Sequence, residues 1–143
     1  MKTWIKIIIG LAVLAFIAAF LFYHLVINKP QPDFANIKPD YSLKAEVFYK
    51  EFKNSKETAS KLYNGKVVEI TGKLSKIENI DTLTIAVFIF DKGMFGDEGI
   101  RCTMLKKFSQ EAKKLKPDGI TKIKGYCTGY DTDVVLEHCA LIY

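Results

Sequence analysis

The 143-residue chain carries 21 basic and 16 acidic residues, a formal net charge of +5, and is 49% hydrophobic. Such a length holds one ordinary domain and an appendage. Setting aside Lys2 and Lys6 leaves 19 basic against 16 acidic residues from Lys29 onward, a balance of +3. That is too little to mark a dedicated nucleic-acid binder by charge alone, and it suits anionic headgroups or acidic glycans equally well.

The appendage comes first. From Ile7 to Ile27 there is no Asp, Glu, Lys or Arg, and about 20 apolar residues cross a hydrocarbon core of roughly 30 Å. A cleaved secretory signal fits less well, because its apolar run is shorter and ends in small residues, whereas Phe20, Phe22, Tyr23, Leu25 and Val26 keep this run bulky. A buried core helix is the other alternative. Residues 1–28 are therefore expected to be an uncleaved transmembrane signal anchor. Lys2 and Lys6 on one side, against Lys29 and Lys38 offset by Asp33 and Asp40 on the other, favour a cytoplasmic N-terminus with the remainder outside the cytoplasm. Trp4 and Tyr23 fall at the two headgroup zones. Residues 29–41, with Pro30, Pro32 and Pro39, read as an extended tether.

From Ser42 the spacing turns helical, with Ala45, Phe48 and Phe52 followed by Ala59, Leu62 and Tyr63. Ser42 is the expected N-cap. Asn54-Ser55 ends one helix and caps a second, unless the helix is unbroken. Next comes a long strand, Tyr63 to Ile77, with Val68, Ile70 and Leu74 on one face and Glu69, Thr71, Lys73 and Ser75 on the other. Gly72 interrupts it, and an intrastrand glycine marks a bend or the close approach of another backbone. A bend there lets one strand serve two sides of a barrel.

Thr82 to Asp91 alternates Leu83, Ile85, Val87 and Ile89, expected in the core, with Thr84, Ala86, Phe88 and Phe90 on the opposite face. Phe88 and Phe90 there are either a stacking surface or a seat for the helices. Asp91 to Gly99 is read as a solvated loop, since its carboxylates lack the spacing of a helix-loop-helix calcium site. Ile100, Cys102 and Met104 point one way along a third strand, Arg101 and Thr103 the other. A lysine-rich amphipathic helix spans 106–116. Pro117-Asp118-Gly119 is a turn in which the glycine takes φ > 0. Strands Ile120–Cys127 and Val134–Ile142 close the chain.

No phosphate-cradling glycine loop, metalloprotease helix, nucleophile elbow or Cys-x-x-Cys is present. His138 is the only histidine beyond the span; no metal, no cofactor and no catalytic residue is expected. Cys127 and Cys139 flank one hairpin, but a turn centred on Asp131 sets Cys127 opposite Val135, too far from Cys139 for a disulfide. A turn centred on Asp133, or strong bulging, would bring them together.

Five strands with a helix between the third and fourth is the order of an OB-fold. The run Tyr63-Asn-Gly-Lys-Val-Val-Glu-Ile-Thr-Gly-Lys-Leu74, the Arg101-Cys-Thr103 strand and the stretch Ile123 to Leu141 resemble the tRNA_anti-like family of bacterial OB-fold proteins. The resemblance covers Ser42 to the C-terminus. It implies a mainly β, five-stranded Greek-key barrel (66–143) with the helices of 42–65 packed on it, serving as a non-enzymatic binding module. OB-folds engage oligomers through the face of strands two and three and adjoining loops. On this chain that names Phe88, Phe90, Arg101 and Thr103 on the face, with Tyr130 and Asp131 in the last loop. The expected partner is a protein or envelope oligosaccharide; the alternative is single-stranded nucleic acid, stacked on the phenylalanines with phosphate on Arg101.

Overall fold

The computed structural model describes residues 2–27 and 33–143. The chain divides into two units, Met1–Pro32 and Asp33–Tyr143. In the first, helix α1 (Lys2–Phe22) passes into a π-helical turn over Tyr23–Ile27, and none of its side chains is buried. Its 26 residues make about 39 Å at 1.5 Å per residue, enough to cross a bilayer.

The second unit is a seven-stranded sheet with three helices. In chain order its elements are β1 (Tyr41–Lys44), α2 (Ala45–Asn54), α3 (Lys56–Tyr63), β2 (Val67–Lys73), β3 (Lys76–Ile80), β4 (Leu83–Gly93), β5 (Gly96–Met104), α4 (Lys106–Ala112), β6 (Ile120–Tyr130) and β7 (Val134–Ile142). The strands lie in the order β1-β2-β6-β7-β5-β4-β3. β1 runs parallel to β2, and β5 parallel to β7; the other pairs are antiparallel.

Two residues, Leu74 and Ser75, decide the overall curl. Leu74 N–H donates to Gly119 O (2.9 Å) on the β6 side, and Ser75 N–H to Val87 O (2.9 Å) of β4. One stretch of chain thus pairs with β6 through β2 and with β4 through β3, and the sheet wraps on itself. The bend falls two residues after Gly72, which has a different task. A Cβ at Gly72 would lie 2.7 Å from Ala45 Cβ and 3.6 Å from the Phe88 ring; the missing side chain admits the first turn of α2.

The interior follows the alternation: Val68, Ile70, Leu74, Ile100, Cys102, Ile123, Val134 and Leu136 are fully buried. Helix α2 adds Ala45, Phe48 and Phe52 to the same cluster. Fully burying each such phenylalanine stabilises by about 1.5–3 kcal/mol, against at most about 0.5 kcal/mol for an exposed i,i+4 pair such as Lys50–Glu46. The aromatic face therefore contributes most to docking α2. The chain turns at Ser55 between α2 and α3, as expected, but Ser55 Oγ bonds Thr58 Oγ1 (2.9 Å) and caps no backbone N–H. Helix α4 buries Ala112, and Phe108 and Leu115 pack against the core.

Several expectations are corrected. Ser42 is not an N-cap: it lies in β1, bonding Glu69 Oε1 (3.0 Å), and α2 begins at Ala45. The tether expected over 29–41 is part of the folded unit from Asp33 onward; residues 28–32 lie outside those described. Phe34 is buried, stacked on His138 and beside Tyr126. Lys124, itself buried, donates to the carbonyls of Ala35 (2.8 Å) and Ile37 (2.7 Å). A lysine satisfied by backbone carbonyls has no sequence signature. The expected loop 91–99 is mostly a continuation of β4 and β5, turning tightly at Met94-Phe95. In the 117–119 turn it is Asp118 that takes positive φ (69°). All three cysteines are free and buried; Cys127 pairs with Leu136 instead of Val135, because the turn is centred on Thr132, with Tyr130 opposite Val134, and the register slips by one between Cys127 and Gly129.

Candidate functional site

The proposed face is assembled from β3, β4 and β5, and the register fixes which side chains share it. Val87 is paired with Lys76 on one side and Arg101 on the other; Ile85 is paired with Glu78 and Thr103. Cross-strand partners point the same way. The outer surface therefore consists of Ile85 and Val87 flanked by Lys76, Glu78, Arg101 and Thr103. Phe88 pairs with the buried Ile100 and is itself fully buried.

This reverses the expected facing of β4. Thr84, Ala86, Phe88 and Phe90 form the inward row, and Ile85 and Val87 the outward one. Phe90 stacks on Tyr49 of α2 with ring centroids 5.5 Å apart. Strict alternation cannot choose a side when both rows are apolar; α2 supplies the decision by needing an aromatic seat. Of the expected face residues, Arg101 and Thr103 lie together outside, while Phe88 and Phe90 lie inside under α2.

Arg101 is held at both ends. Its Nη2 makes an ion pair with Glu78 Oε2, and its Nη1 approaches Asp133 Oδ2 at 3.7 Å. Because Arg101 and Glu78 stand on the two strands flanking β4, their ion pair crosses over Val87 and Ile85. That explains how two outward aliphatic residues are only 4% and 8% exposed. Lys76 Nζ reaches Glu78 Oε1 (2.8 Å), and Asp133 Oδ1 accepts Gly99 N–H (2.7 Å). The Lys76 hydrogen bond, helped by the Arg101 charge and opposed by burial, holds the Glu78 carboxyl below its usual range. Two cations and two anions, Lys76, Arg101, Glu78 and Asp133, leave the surface with no net charge.

The other two expected residues lie elsewhere. Tyr130 sits at 5.8 Å from the Phe52 ring, with Lys56 Nζ 5.8 Å from its own centroid. With Asp131, Asn64 and Thr128 it borders an open cleft of about 360 Å³ between α3 and the β6–β7 turn. Arg101 instead borders a recess of about 160 Å³ with Phe95, Asp97, Glu98 and Asp133. Phe95 and Met94, at the β4–β5 tip, are more than nine-tenths exposed. Reading 91–99 as a loop hid this apolar tip. Glu98 is engaged by Lys53 (2.5 Å) and the Tyr49 hydroxyl (3.3 Å). Among the described residues no three His, Cys, Asp or Glu side chains converge to hold a metal.

A family model, tRNA_anti-like, matches residues 1–141. The chain belongs to the tRNA_anti-like family. A Klebsiella pneumoniae lipoprotein proposed to bind nucleic acid is 16% identical, with a TM-score of 0.54 over 80% of this chain and 100% of that one. At that identity the likeness is one of fold, and the fold is OB-like. An aspartyl-tRNA synthetase from Entamoeba histolytica is 15% identical, with a TM-score of 0.43 over 79% of this chain and 23% of its own. No curated protein matches significantly.

Proposed function

We propose that this family member is a membrane-anchored, non-enzymatic binding module that holds a protein or an envelope oligosaccharide on its β3–β4–β5 face, outside the cytoplasm. In this reading α1 is an uncleaved single-pass anchor, β2 and β3 count as one broken strand of a five-stranded Greek-key barrel, and β1 is an addition to it. One observation carries the ligand class. Arg101, the only arginine, is already held by Glu78 and Asp133, so a phosphate must displace two carboxylates to reach it. Phe88 and Phe90, the two rings the face would offer a nucleobase, are turned inward under α2. A charge-balanced surface over buried aliphatic side chains, beside an apolar Met94-Phe95 tip, suits a neutral or mixed-charge partner.

Single-stranded nucleic acid is the second reading, favoured by the family's name and by the role proposed for the Klebsiella lipoprotein. A photo-crosslinking residue at Thr103 in the full chain, activated in native membranes, separates the two. A discrete protease-sensitive or glycan-bearing adduct, missing when the residue is placed at Lys61 on α3, supports the proposal. A nuclease-sensitive adduct at Thr103 overturns it.

A further inference from the structure

Among the described residues, lysines without a carboxylate partner are scattered over this unit, at Lys44, Lys66 and Lys92 among others, but gather in one place, on α4 and the turn after it. On α2 and α3 most have a carboxylate: Lys50 with Glu46 (2.7 Å), Lys53 with Glu98 (2.5 Å), Lys61 with Glu57 (2.8 Å). On α4 and the turn after it, Lys106, Lys113, Lys114 and Lys116 have none among the described residues, and all four are exposed. The one acidic residue between 106 and 116 is Glu111, and its Oε2 accepts the Tyr143 hydroxyl at 2.6 Å. Asp118, just beyond, is taken by Lys73 (3.1 Å). A solvated helix face ordinarily intersperses both signs evenly, as α2 does; here four lysines without an ion pair stand against the single carboxylate of Glu111.

The place where the chain enters the unit gives this surface a partner. Lys107 of α4 binds both carboxylate oxygens of Asp33 at 2.9 Å, and that pairing holds the Asp33 carboxyl below its usual range. Only five residues, 28–32, separate Asp33 from the apolar span ending at Ile27 in sequence. A short covalent link presents a surface to its target at high effective concentration, so weak contacts suffice. Lysines near an anionic bilayer each gain appreciably from the surface potential, within a Debye length.

We propose that the α4 surface formed by Lys106, Lys113, Lys114 and Lys116 docks on the anionic lipid headgroups of the bilayer that anchors the chain. The proposal rests on the reading of α1 as an uncleaved anchor, and is independent of which ligand the β3–β4–β5 face takes. It is tested with the full chain in nanodiscs of phosphatidylcholine alone or mixed with phosphatidylglycerol, by following acylation of individual lysines by mass spectrometry. The four lysines react more slowly in the anionic discs, by roughly fivefold for each residue engaged, and high salt restores their rates; Lys50 and Lys61 do not change. A Lys113→Gln/Lys114→Gln/Lys116→Gln variant, altered only at exposed positions, loses the protection of Lys106. Equal rates in the two discs, or slowing in both, overturns the proposal. So does protection that appears only when an oligonucleotide is added to neutral discs, which would assign the surface to nucleic acid.

Discussion

Removing the Arg101 guanidinium tests whether that side chain works in the fold before it works on any ligand. In Arg101→Ala, Glu78 keeps Lys76 at 2.8 Å and Asp133 keeps the Gly99 N–H at 2.7 Å, so neither carboxylate is stranded. The loss is then far below the 3–5 kcal/mol of an orphaned buried charge. It exceeds a median surface pair, because Arg101 and Glu78 side chains are only 33% and 24% exposed and their ion pair shields Val87 and Ile85. We expect about 1–2 kcal/mol for Arg101→Ala, or a melting-temperature drop of about 4–8 °C in a domain of this size. A double-mutant cycle with Glu78→Ala, read by thermal unfolding of the full chain in detergent, should give a coupling near 1 kcal/mol. A coupling indistinguishable from zero would refute the clamp, and with it the explanation of why Ile85 and Val87 are covered.

Two further outcomes follow from the same geometry. Gly72→Ala places a methyl group 2.7 Å from Ala45 Cβ, and since both atoms are fixed to backbone, α2 must move. The expected cost is about 1–3 kcal/mol, partly recovered in Gly72→Ala/Ala45→Gly; an unchanged or raised melting temperature in the single variant contradicts it. Acid should also weaken the unit. Glu78, held low chiefly by Lys76, and Asp33, held low by Lys107, are depressed in the folded state. Their contribution is complete above the ordinary carboxyl values of 4.5 and 3.8 and is lost as pH falls through the lower folded values. The melting temperature should therefore drop as the pH goes below about 4.5, and Glu78→Gln should flatten part of that drop. An identical pH profile for the variant would remove Glu78 from the account.

Where a segment's pattern met a single physical demand, the sequence was readable. The apolar run of α1, the Val68/Ile70/Leu74 row and the inward Ile100/Cys102/Met104 against outward Arg101/Thr103 all follow from one period and one solvent-facing side. Where two demands competed, it was not. β4 is apolar on both rows, so its facing depended on Tyr49 stacking on Phe90, a contact 41 positions distant. The break at Leu74-Ser75 comes from hydrogen bonds to Gly119 and Val87, which no local propensity encodes, and Gly72 marked the neighbourhood for a different reason. The Asp33–Asp40 stretch looked like a linker because Pro39 and its polar residues say nothing of Lys124 waiting with two carbonyl-directed hydrogen bonds. At the candidate site, the sequence correctly set Arg101 beside Thr103. Its neutralisation by Glu78 and Asp133, the feature that most bears on ligand class, exists only once three strands and a loop are brought together.

The most direct test of the ligand assignment is a titration of the full chain against a labelled single-stranded oligonucleotide and a folded tRNA, followed by anisotropy at low and physiological salt, with Arg101→Ala alongside. A charge-balanced face predicts weak binding that ignores Arg101 and vanishes at physiological salt. Tight binding at physiological salt, with a steep salt slope and loss on Arg101→Ala, would contradict that assignment and make nucleic acid the ligand.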